Sequence, residues 1–262
     1  MKKNITFGIC ISKDTPPDYL FRSLVGIYNM RDTMNHYEVI LCGHASDAAY
    51  SVIATFSMQM RVSLISYEGP SDKPGHITKK KNLIVHYAQY DVTVLMHDYY
   101  WLPPDFTIAM PDKFDVYCAP IRTAEGTRHS DWMVNPRRME TFINETPDMW
   151  ERLMTVNPAE NAPWFINALP YHVSYLSPIM YVSGGLITAR TEVLRDVPQN
   201  EDLYWGDAED LEWSERLVAK YKLKTTSWNG AVGYATAMKP GKWAVTEIPL
   251  DIVKELKVHY GL

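Results

Sequence analysis

Short apolar runs alternate with helix-like segments over the first third of the chain, and this alternation constrains the fold more than any other feature. The first run, Ile5 to Ile11, is too short and too rich in β-branched residues for a buried helix, so it is typical of a strand. Further strands are predicted at Val39 to Cys42, Val62 to Ile65, Val92 to Met96 and Phe114 to Ala119. Because these runs are apolar on both faces and are separated by helices, they predict a largely parallel sheet covered on both sides.

Helices are predicted where apolar residues recur at helical spacing. In the first half of the chain they cover Tyr19 to Met30, a stretch that begins at Ser46, and His76 to Gln89. Near the end of the chain they cover Asp207 to Tyr221, with Asp207 as the expected N-cap, and Leu250 to Lys257.

The segment from Arg122 to Leu169 breaks this pattern, because it is polar and rich in proline, arginine and tryptophan. The only helix predicted within it is Pro147 to Val156, with Thr146 as N-cap. A loop-rich stretch of this length inside a compact domain usually forms a lid or a binding wall, so we expect it to cover a ligand. Tyr181 to Ile187 follows it as a predicted strand.

The composition indicates an ordinary globular protein: 262 residues, of which 46% are hydrophobic and 22% are charged. A net charge of −5 gives no overall field that would attract a polyanion. No stretch approaches the roughly 18 consecutive apolar residues of a membrane span, and the first residues lack the apolar run of a signal peptide, so we expect a cytoplasmic protein. Cys10, Cys42 and Cys118 are dispersed among apolar runs and are predicted to be buried thiols.

Polar residues follow three of the predicted strands, as Ser12-Lys13-Asp14, Gly43-His44 and His97-Asp98-Tyr99. In sheets of this kind, ligands bind outside the carboxyl ends of the strands, so these residues are candidates for a binding site. The sequence lacks the motifs of dinucleotide oxidoreductases, P-loop enzymes, α/β-hydrolases and zinc proteases, which argues against those classes.

Asp98 and Lys81 are the first candidates for chemistry at this edge. The Asp98 carboxylate would point into the cleft, where it could hold a divalent cation, and the alternative is a turn aspartate that binds its own backbone. Lys81 shares an inward stripe with Ile77 and Ile84, so its ammonium should emerge near the ligand-binding edge, where a positive charge suits a diphosphate. The alternative is a solvated basic turn, which is the expectation for the neighbouring Lys79 and Lys80.

Asp207, Glu209 and Asp210 place three carboxylates within four residues at the start of a predicted helix. Acidic residues in a first turn are favoured by the helix dipole, which is the simplest explanation for them. Their mutual repulsion also makes a raised pKa, or a cation or substrate partner, plausible for Glu209 or Asp210. A general base for a hydroxyl group needs such tuning.

The order of these weak motifs resembles that of nucleotide-sugar-dependent glycosyltransferases of the GT-A fold, in particular the family 2-like group. The resemblance covers roughly residues 4 to 220 and includes Lys81-Asn82, His97-Asp98-Tyr99, Ser183-Gly184-Gly185 and Glu209-Asp210. It implies an α/β, Rossmann-like three-layer sandwich with a mostly parallel central sheet in one domain, 1–262. Residues 1–121 would form the nucleotide-sugar-binding half, and residues 122–262 the acceptor-binding and catalytic half.

The resemblance also implies roles for individual residues. Asp210 would be the general base, with Glu209 beside it in the catalytic pair. Asp98 would hold Mn²⁺ or Mg²⁺ against the donor diphosphate, and His259 is the candidate for a further metal ligand, the alternative being a surface histidine. The implied donor-binding residues are Ser12, Lys13, Asp14, Lys81, Asp98, Gly184, Gly185 and Trp205.

Two departures from the family pattern affect the donor site. His44 follows the second strand where the family usually has acids that contact the base and ribose, and His97-Asp98-Tyr99 leaves one carboxylate in place of Asp-x-Asp. Trp132, Trp164 and Trp205 are candidates for stacking on sugar faces, and each is otherwise an ordinary core or surface aromatic.

The expected reaction is transfer of a hexose from a nucleotide sugar, expected to be a UDP-sugar, to an acceptor hydroxyl held under the Arg122 to Leu169 wall. One alternative is a non-catalytic module of the same fold that binds a nucleotide sugar or a carbohydrate. Another is a glycosyltransferase that acts on modified DNA, with arginines against the phosphates. The arginines in question are Arg122, Arg128, Arg137 and Arg138.

Overall fold

The computed structural model describes residues 2–69, 75–129, 131–156, 165–171, 173–224, 231–235 and 244–262. Its strands are β1 Asn4–Cys10, β2 His36–Gly43, β3 Val62–Ser66, β4 Val92–His97, β5 Tyr100–Trp101, β6 Val116–Tyr117, β7 Ile121–Thr123, β8 Met133–Val134, β9 Phe165–Ala168, β10 Met180–Tyr181, β11 Leu186–Arg190, β12 Leu223–Lys224, β13 Gly233–Ala235 and β14 Ala244–Glu247. Its α-helices are α1 Pro17–Asn29, α2 Asp47–Ser57, α3 Ile77–Tyr87, α4 Phe106–Ala109, α5 Pro136–Glu145, α6 Met149–Val156, α7 Thr191–Asp196, α8 Glu209–Val218 and α9 Leu250–His259. Short 3-10 helices cover Arg31–Thr33 and Ser174–Ile179.

The central sheet has seven strands within the described residues, in the order β12-β6-β11-β4-β1-β2-β3. Strands β1 to β4 are parallel to their neighbours in this group, whereas β11 is antiparallel to both β4 and β6. The predicted mostly parallel central sheet is therefore confirmed. Two smaller sheets, β10-β8-β9-β14 and β5-β13-β7, lie beside it.

The register brings the carboxyl ends of the parallel strands to one edge. Cys10 at the end of β1 lies opposite both Cys42 on β2 and His97 on β4. The loops that follow these strands, which carry Ser12 and Asp98, therefore leave the sheet at the same level.

Two apolar cores, one on each face of the sheet, give the predicted three layers. On one face, side chains of β1, β2 and β4 pack with α1 and α2, as Phe7 does with Leu24 and Ile53 in one cluster. On the other face, Leu95 shares a cluster with Ile84 of α3 and with residues of α7, α8 and α9. Alternate side chains of a strand point to opposite faces, which explains why neighbouring residues of β2 belong to different cores. Cys10, Cys42 and Cys118 are buried free thiols, as predicted.

Several predicted boundaries are wrong in the second half of the chain. The segment predicted to be mostly loop contains α5, which buries Met139 and Phe142 and begins at an Asn135 N-cap followed by Pro136. The predicted strand Tyr181 to Ile187 is two strands, β10 and β11, separated by a turn at Gly184-Gly185. Helix α8 begins at Glu209 rather than at Asp207.

No helix in the described ranges is long and apolar enough to cross a membrane. The two predicted functional halves share one sheet, because β11 pairs with β4. The assignment of donor binding to residues 1–121 and of acceptor binding to the rest stays a prediction.

Gly8 allows α3 to approach β1 closely, and this contact sets the distance between α3 and the sheet. A Cβ at position 8 would overlap Cγ2 of Ile84 and would lie 2.9 Å from Cδ2 of Leu95. We expect Gly8→Ala to lower the free energy of unfolding by about 1–3 kcal/mol, because an overpacked core must shift its neighbours. Urea unfolding measures the change.

The double variant Gly8→Ala/Ile84→Ala checks the cause. Removing the Ile84 side chain opens space for the new methyl group, so Gly8→Ala should cost less in that background. Equal costs in both backgrounds would contradict the proposed contact.

Candidate active site

The candidate site lies where the end of β4 meets the start of β11. Because these strands are antiparallel, the residues before β11 lie beside the residues after β4. The backbone N–H of His97 donates to the Gly185 carbonyl at 3.0 Å, which places Gly184 and Gly185 next to the Asp98 loop. Gly185 also lies against Tyr100, since a Cβ there would be 2.6 Å from the tyrosine hydroxyl.

Lys81 extends from α3 into this edge of the sheet. Its side chain is 1% exposed, and its Nζ has no hydrogen-bond partner among the described residues. Nζ would lie 3.2 Å from a Cβ added to Gly184, so the missing side chain leaves room beside the ammonium. A buried ammonium without a hydrogen-bond partner is costly. The charge of Lys81 also acts on Glu209, where it opposes the rise in pKa that burial causes.

Asp210 also lies beside Gly184. The Gly184 N–H donates to Asp210 Oδ2 at 3.1 Å, and Asp210 Cβ would be 3.2 Å from a Cβ at Gly184. The structure therefore brings together three residues that the sequence analysis selected separately: Lys81, Gly184 and Asp210.

Asp98 is half-buried and is held by Thr15, whose hydroxyl donates to Asp98 Oδ2 at 2.5 Å. Burial raises the pKa of the Asp98 carboxyl, while the hydrogen bond from Thr15 opposes that rise. Ser12, Lys13 and Asp14 lie in the loop just before Thr15, and Lys13 and Asp14 are exposed there.

The charges of Asp98 and of two acids of α8 all act on Tyr99. Its pKa is raised to about 12, first because burial disfavours the phenolate and then because the charges of Asp98, Asp210 and Glu209 add to the effect. The phenol is a neutral hydrogen-bond donor at physiological pH.

The start of α8 has an unusual backbone. Ala208, the N-cap residue, has a φ of 59° and a ψ of 37°, which is the left-handed region that a residue with a Cβ enters at a cost. Asp207 is not the N-cap, because its carboxylate instead accepts the Tyr204 N–H at 3.0 Å. Glu209 is 6% exposed and folds back to accept the Gly206 N–H at 3.2 Å. Burial, followed by the charge of Asp210, raises the pKa of Glu209.

Polar side chains of α3 hold the segment that precedes α8. Asn82 donates to the Gln199 carbonyl and to Glu201 Oε1, each at 2.9 Å, and its own oxygen accepts the Gln199 N–H at 2.9 Å. Lys79 forms an ion pair with Glu201 at 2.6 Å. Helix α3 therefore positions both Lys81 and the approach to Asp210.

Lys80 is buried, contrary to the expectation that it is partly solvated. It is 7% exposed, and its Nζ donates to the Ile11 carbonyl at 2.7 Å. Lys80 follows Ile77 by three residues and precedes Ile84 by four, so helical spacing places it on the same buried stripe as Lys81. Lys79 is partly exposed, as expected.

The candidate aromatic and metal-binding residues have different surroundings. Trp132 is 2% exposed, and its Nε1 donates to the Cys118 carbonyl, so it is a core residue rather than a sugar platform. Trp205 is 53% exposed beside Gly75, and its stacking role stays a prediction. Trp164 lies outside the described residues. His259 on α9 contacts α5, with its Nε2 3.3 Å from Glu145, and is not brought to Asp98.

Thr15 and Tyr99 are site residues that sequence reasoning did not select for a role of their own. In the sequence, Tyr99 is only the residue that follows Asp98 after β4, and no periodicity indicates a role for it. Thr15 is 2% exposed, although it lies in a polar loop whose composition predicts exposure. The prolines that follow it, Pro16 as N-cap and Pro17 as the first residue of α1, are the signal in the sequence that the loop ends here.

Comparisons with known proteins identify the fold. No protein-family model matches the chain, and no curated protein matches it. S. aureus TarS matches 90% of the chain with a TM-score of 0.60 at 14% identity. TarS 1-349 in complex with UDP-GlcNAc matches 92% with a TM-score of 0.59 at 15% identity. The mannosyltransferase PcManGT from Pyrobaculum calidifontis, in complex with GDP-Man and Mn²⁺, matches 92% with a TM-score of 0.54 at 16% identity.

The chain therefore has the GT-A-like fold of these glycosyltransferase structures, as its sequence motifs implied. It spans 37% of the TarS chain, 60% of TarS 1-349 and 59% of the mannosyltransferase, which is less than two thirds of each. At this level of identity the likeness concerns the fold, and the chemistry has to be argued from the site.

The raised pKa of Glu209 predicts how stability depends on pH. The folded protein binds this proton more tightly than the unfolded chain does, so the contribution of Glu209 to stability is greatest at low pH and falls as the pH rises above about 4.5, the ordinary value. Glu209→Gln cannot ionise, yet its amide oxygen still accepts the Gly206 N–H. We expect it to be more stable than the wild type at pH 7, with a smaller advantage at pH 4.

Urea unfolding of both proteins across this pH range measures the effect. A stability difference that stays constant, or that grows as the pH is lowered, would show that Glu209 is not a carboxyl group with a raised pKa.

Proposed function

We propose that this protein is a glycosyltransferase that moves a hexose from a nucleotide sugar to an acceptor hydroxyl. One observation carries the proposal: the buried Lys81 ammonium has no hydrogen-bond partner among the described residues and lies, like the Asp210 carboxylate, beside Gly184. Structures of the same fold with bound nucleotide sugars support the proposal that an anionic group of the donor binds Lys81.

Lys81 is suited to bind the donor diphosphate. Its charge is out of water, so an anion beside it would interact more strongly than at an exposed site. The leaving diphosphate gains negative charge as the glycosidic bond breaks, and a fixed positive charge nearby stabilises that transition state. Gly184 keeps the space in front of the ammonium open for the donor.

Asp210 is the proposed general base. Its Oδ2 accepts the Gly184 N–H, which fixes the carboxylate beside the space where the donor sugar would lie. An acceptor hydroxyl bound there would transfer its proton to Asp210 as it attacks the anomeric carbon. A carboxylate base of this kind favours inversion of the anomeric configuration. Glu209 is the weaker candidate, because its carboxylate accepts the Gly206 N–H of the preceding turn, whereas that of Asp210 accepts the Gly184 N–H.

A divalent cation fits the site with one protein carboxylate. The described residues contain no group of three or more histidine, cysteine, aspartate or glutamate side chains that could hold a metal. Mg²⁺ is often bound through one or two carboxylates together with substrate phosphates, so Asp98 would be the protein ligand. When bound, the cation would help to neutralise the diphosphate. His259 remains a prediction as a ligand, and its contacts with α5 give it no support.

A UDP-sugar is the proposed donor, and the acceptor is proposed to lie under the wall formed by residues 122–169. The complex of TarS 1-349 with UDP-GlcNAc supports a uridine donor for this fold, whereas the mannosyltransferase complex contains GDP-Man. A panel of UDP- and GDP-sugars with Mn²⁺, assayed for release of free nucleotide, tests the choice. If no donor is hydrolysed or bound, the glycosyltransferase proposal fails.

The DNA alternative loses support from the contacts of its arginines. Arg128 forms ion pairs with Asp131 at 2.6 Å and with Glu247 at 2.8 Å. Arg137 pairs with Glu215 at 3.0 Å. Arginines that are committed to carboxylates within the protein are poor candidates for a phosphate-binding surface.

Substitution of Lys81 tests the observation that carries the proposal. We expect Lys81→Met to raise the free energy of unfolding of the ligand-free protein by about 1–3 kcal/mol, because it removes a buried ammonium that has no hydrogen-bond partner among the described residues. The loss of its attraction to Glu209 reduces this gain. The same variant should bind UDP much more weakly. Urea unfolding and calorimetric titration measure the two effects.

Lys80→Met is the matched control. It removes the hydrogen bond to the Ile11 carbonyl and leaves that oxygen without its donor, so it should destabilise the protein by about 1–3 kcal/mol. If Lys81→Met is also destabilising and binds UDP as well as the wild type does, Lys81 does not bind the donor diphosphate.

Asp210→Asn separates an enzyme from a binding module. The amide oxygen can still accept the Gly184 N–H, but it cannot take a proton from the acceptor. We expect donor binding to be kept and the turnover rate to fall by about 10²- to 10⁴-fold. The control is Asp207→Asn, an exposed acid three residues earlier, which should turn over normally. A wild-type protein that binds donor without turnover, together with an indifferent Asp210→Asn, would favour the binding module.

A further inference from the structure

We infer that Thr15 is a positioning residue of the donor site, whose hydroxyl holds the Asp98 carboxylate against the loop that follows β1. The inference rests on the proposed function, because it takes Asp98 to contact the donor or its cation. It adds a residue that neither the sequence motifs nor the comparisons indicate.

The chemistry of the two hydrogen bonds at Thr15 Oγ1 fixes their direction. The Ser12 N–H lies 2.8 Å from this oxygen and can only donate to it. The single hydroxyl proton of Thr15 is therefore available for Asp98, whose Oδ2 lies at 2.5 Å. One buried hydroxyl thus connects the backbone of one loop to the carboxylate of another.

The loop that carries Thr15 is held in place on both sides. The Thr15 N–H donates to the Ser12 carbonyl at 3.0 Å, which closes the turn. The buried Lys80 ammonium donates to the Ile11 carbonyl at 2.7 Å, just before the turn, and α1 begins at Pro17, just after it. The position of the Thr15 hydroxyl is therefore determined by β1, α1 and α3 together.

The other hydrogen bonds to the Asp98 carboxylate come from its own loop. The backbone N–H groups of Asp98 and Tyr99 also bind its carboxylate. These local bonds move with the loop after β4, whereas the bond from Thr15 comes from a different part of the sheet edge. Thr15 is thus the contact that fixes Asp98 relative to Ser12, Lys13 and Asp14, and a donor that touches both loops would meet a preformed pair.

The experiment measures binding of UDP and of GDP by calorimetric titration in the presence of Mn²⁺, with wild type, Thr15→Val and Thr15→Ser. Valine has nearly the shape of threonine without the hydroxyl, and serine keeps the hydroxyl. For the nucleotide that the wild type binds more tightly, we expect Thr15→Val to weaken binding by about 10- to 100-fold, as loss of an outer-shell partner of a metal ligand typically does. Thr15→Ser should restore binding to within about threefold of the wild type.

Thr107→Val is the matched control. Thr107 is also buried, at 4% exposure, and its hydroxyl lies 2.5 Å from that of Thr33, away from the site. The variant loses a comparable buried hydrogen bond and should bind nucleotide like the wild type. If both valine variants weaken binding equally, the effect of Thr15→Val is general destabilisation and the inference is overturned.

A double-variant cycle tests whether Thr15 acts through Asp98. In an Asp98→Ala background, Thr15→Val should have no further effect on nucleotide affinity, and a full additional loss would overturn the inference. If Thr15→Val does not fold, Thr15→Ala replaces it in the same comparison.

The possible failures can be told apart. A wild-type protein that binds neither UDP nor GDP refutes the proposed function and this inference with it. A wild-type protein that binds nucleotide, with a folded Thr15→Val that binds equally well, refutes this inference and leaves the proposed function standing.

Discussion

The charge of Lys81 is the constraint on which the rest of the site depends. An ammonium that is 1% exposed, with no hydrogen-bond partner in the described residues, is unfavourable in the ligand-free protein. The structure maintains it because α3 is fixed on the sheet by close packing at Gly8 and by polar contacts with residues 199–205. The same contacts hold the segment before α8, whose Asp210 lies beside Gly184 together with Lys81. A stability cost of this kind is characteristic of functional sites, where a ligand completes the electrostatics.

Strand order explains why residues so distant in the sequence meet. Parallel strands β1, β2 and β4 bring three loops to one edge, and antiparallel β11 returns Gly184 and Gly185 to that edge. The side chains around this meeting point have complementary properties. Lys81 offers a fixed positive charge, Asp98 offers a carboxylate held by Thr15, and Asp210 offers a second carboxylate held by the Gly184 N–H. A nucleotide sugar needs groups of these kinds for its diphosphate and for the attack on its anomeric carbon.

The sequence predicted the first half of the fold well, because continuous apolar runs and helical stripes report burial directly. The helical stripe of α3 predicts the burial of Lys81. Lys80 lies on the same stripe, so helical spacing predicts its burial as well. Helix α5 is missed, although Asn135 and Pro136 form a start signal, because its polar and charged residues mask two buried side chains. The similar signal at Thr146 and Pro147 predicts α6 but not its start, since α6 begins at Met149 and Thr146 is the C-cap of α5. The Thr15 to Asp98 bond could not be predicted, since it joins residues 83 positions apart and depends on the register of β1 with β4. Asp207 was expected to cap α8, but the left-handed Ala208 moves the start of that helix to Glu209.

The most direct test of this account is a crystal structure of the protein with UDP-GlcNAc and Mn²⁺, together with one containing GDP-mannose. The account predicts that, in the complex that forms, a diphosphate oxygen lies within about 3.2 Å of Lys81 Nζ, as a charge-assisted hydrogen bond requires. It also predicts that the Asp210 carboxylate faces the anomeric carbon across an acceptor-sized gap. A nucleotide bound elsewhere on the protein, or bound at this edge with Lys81 still lacking a partner, would contradict it.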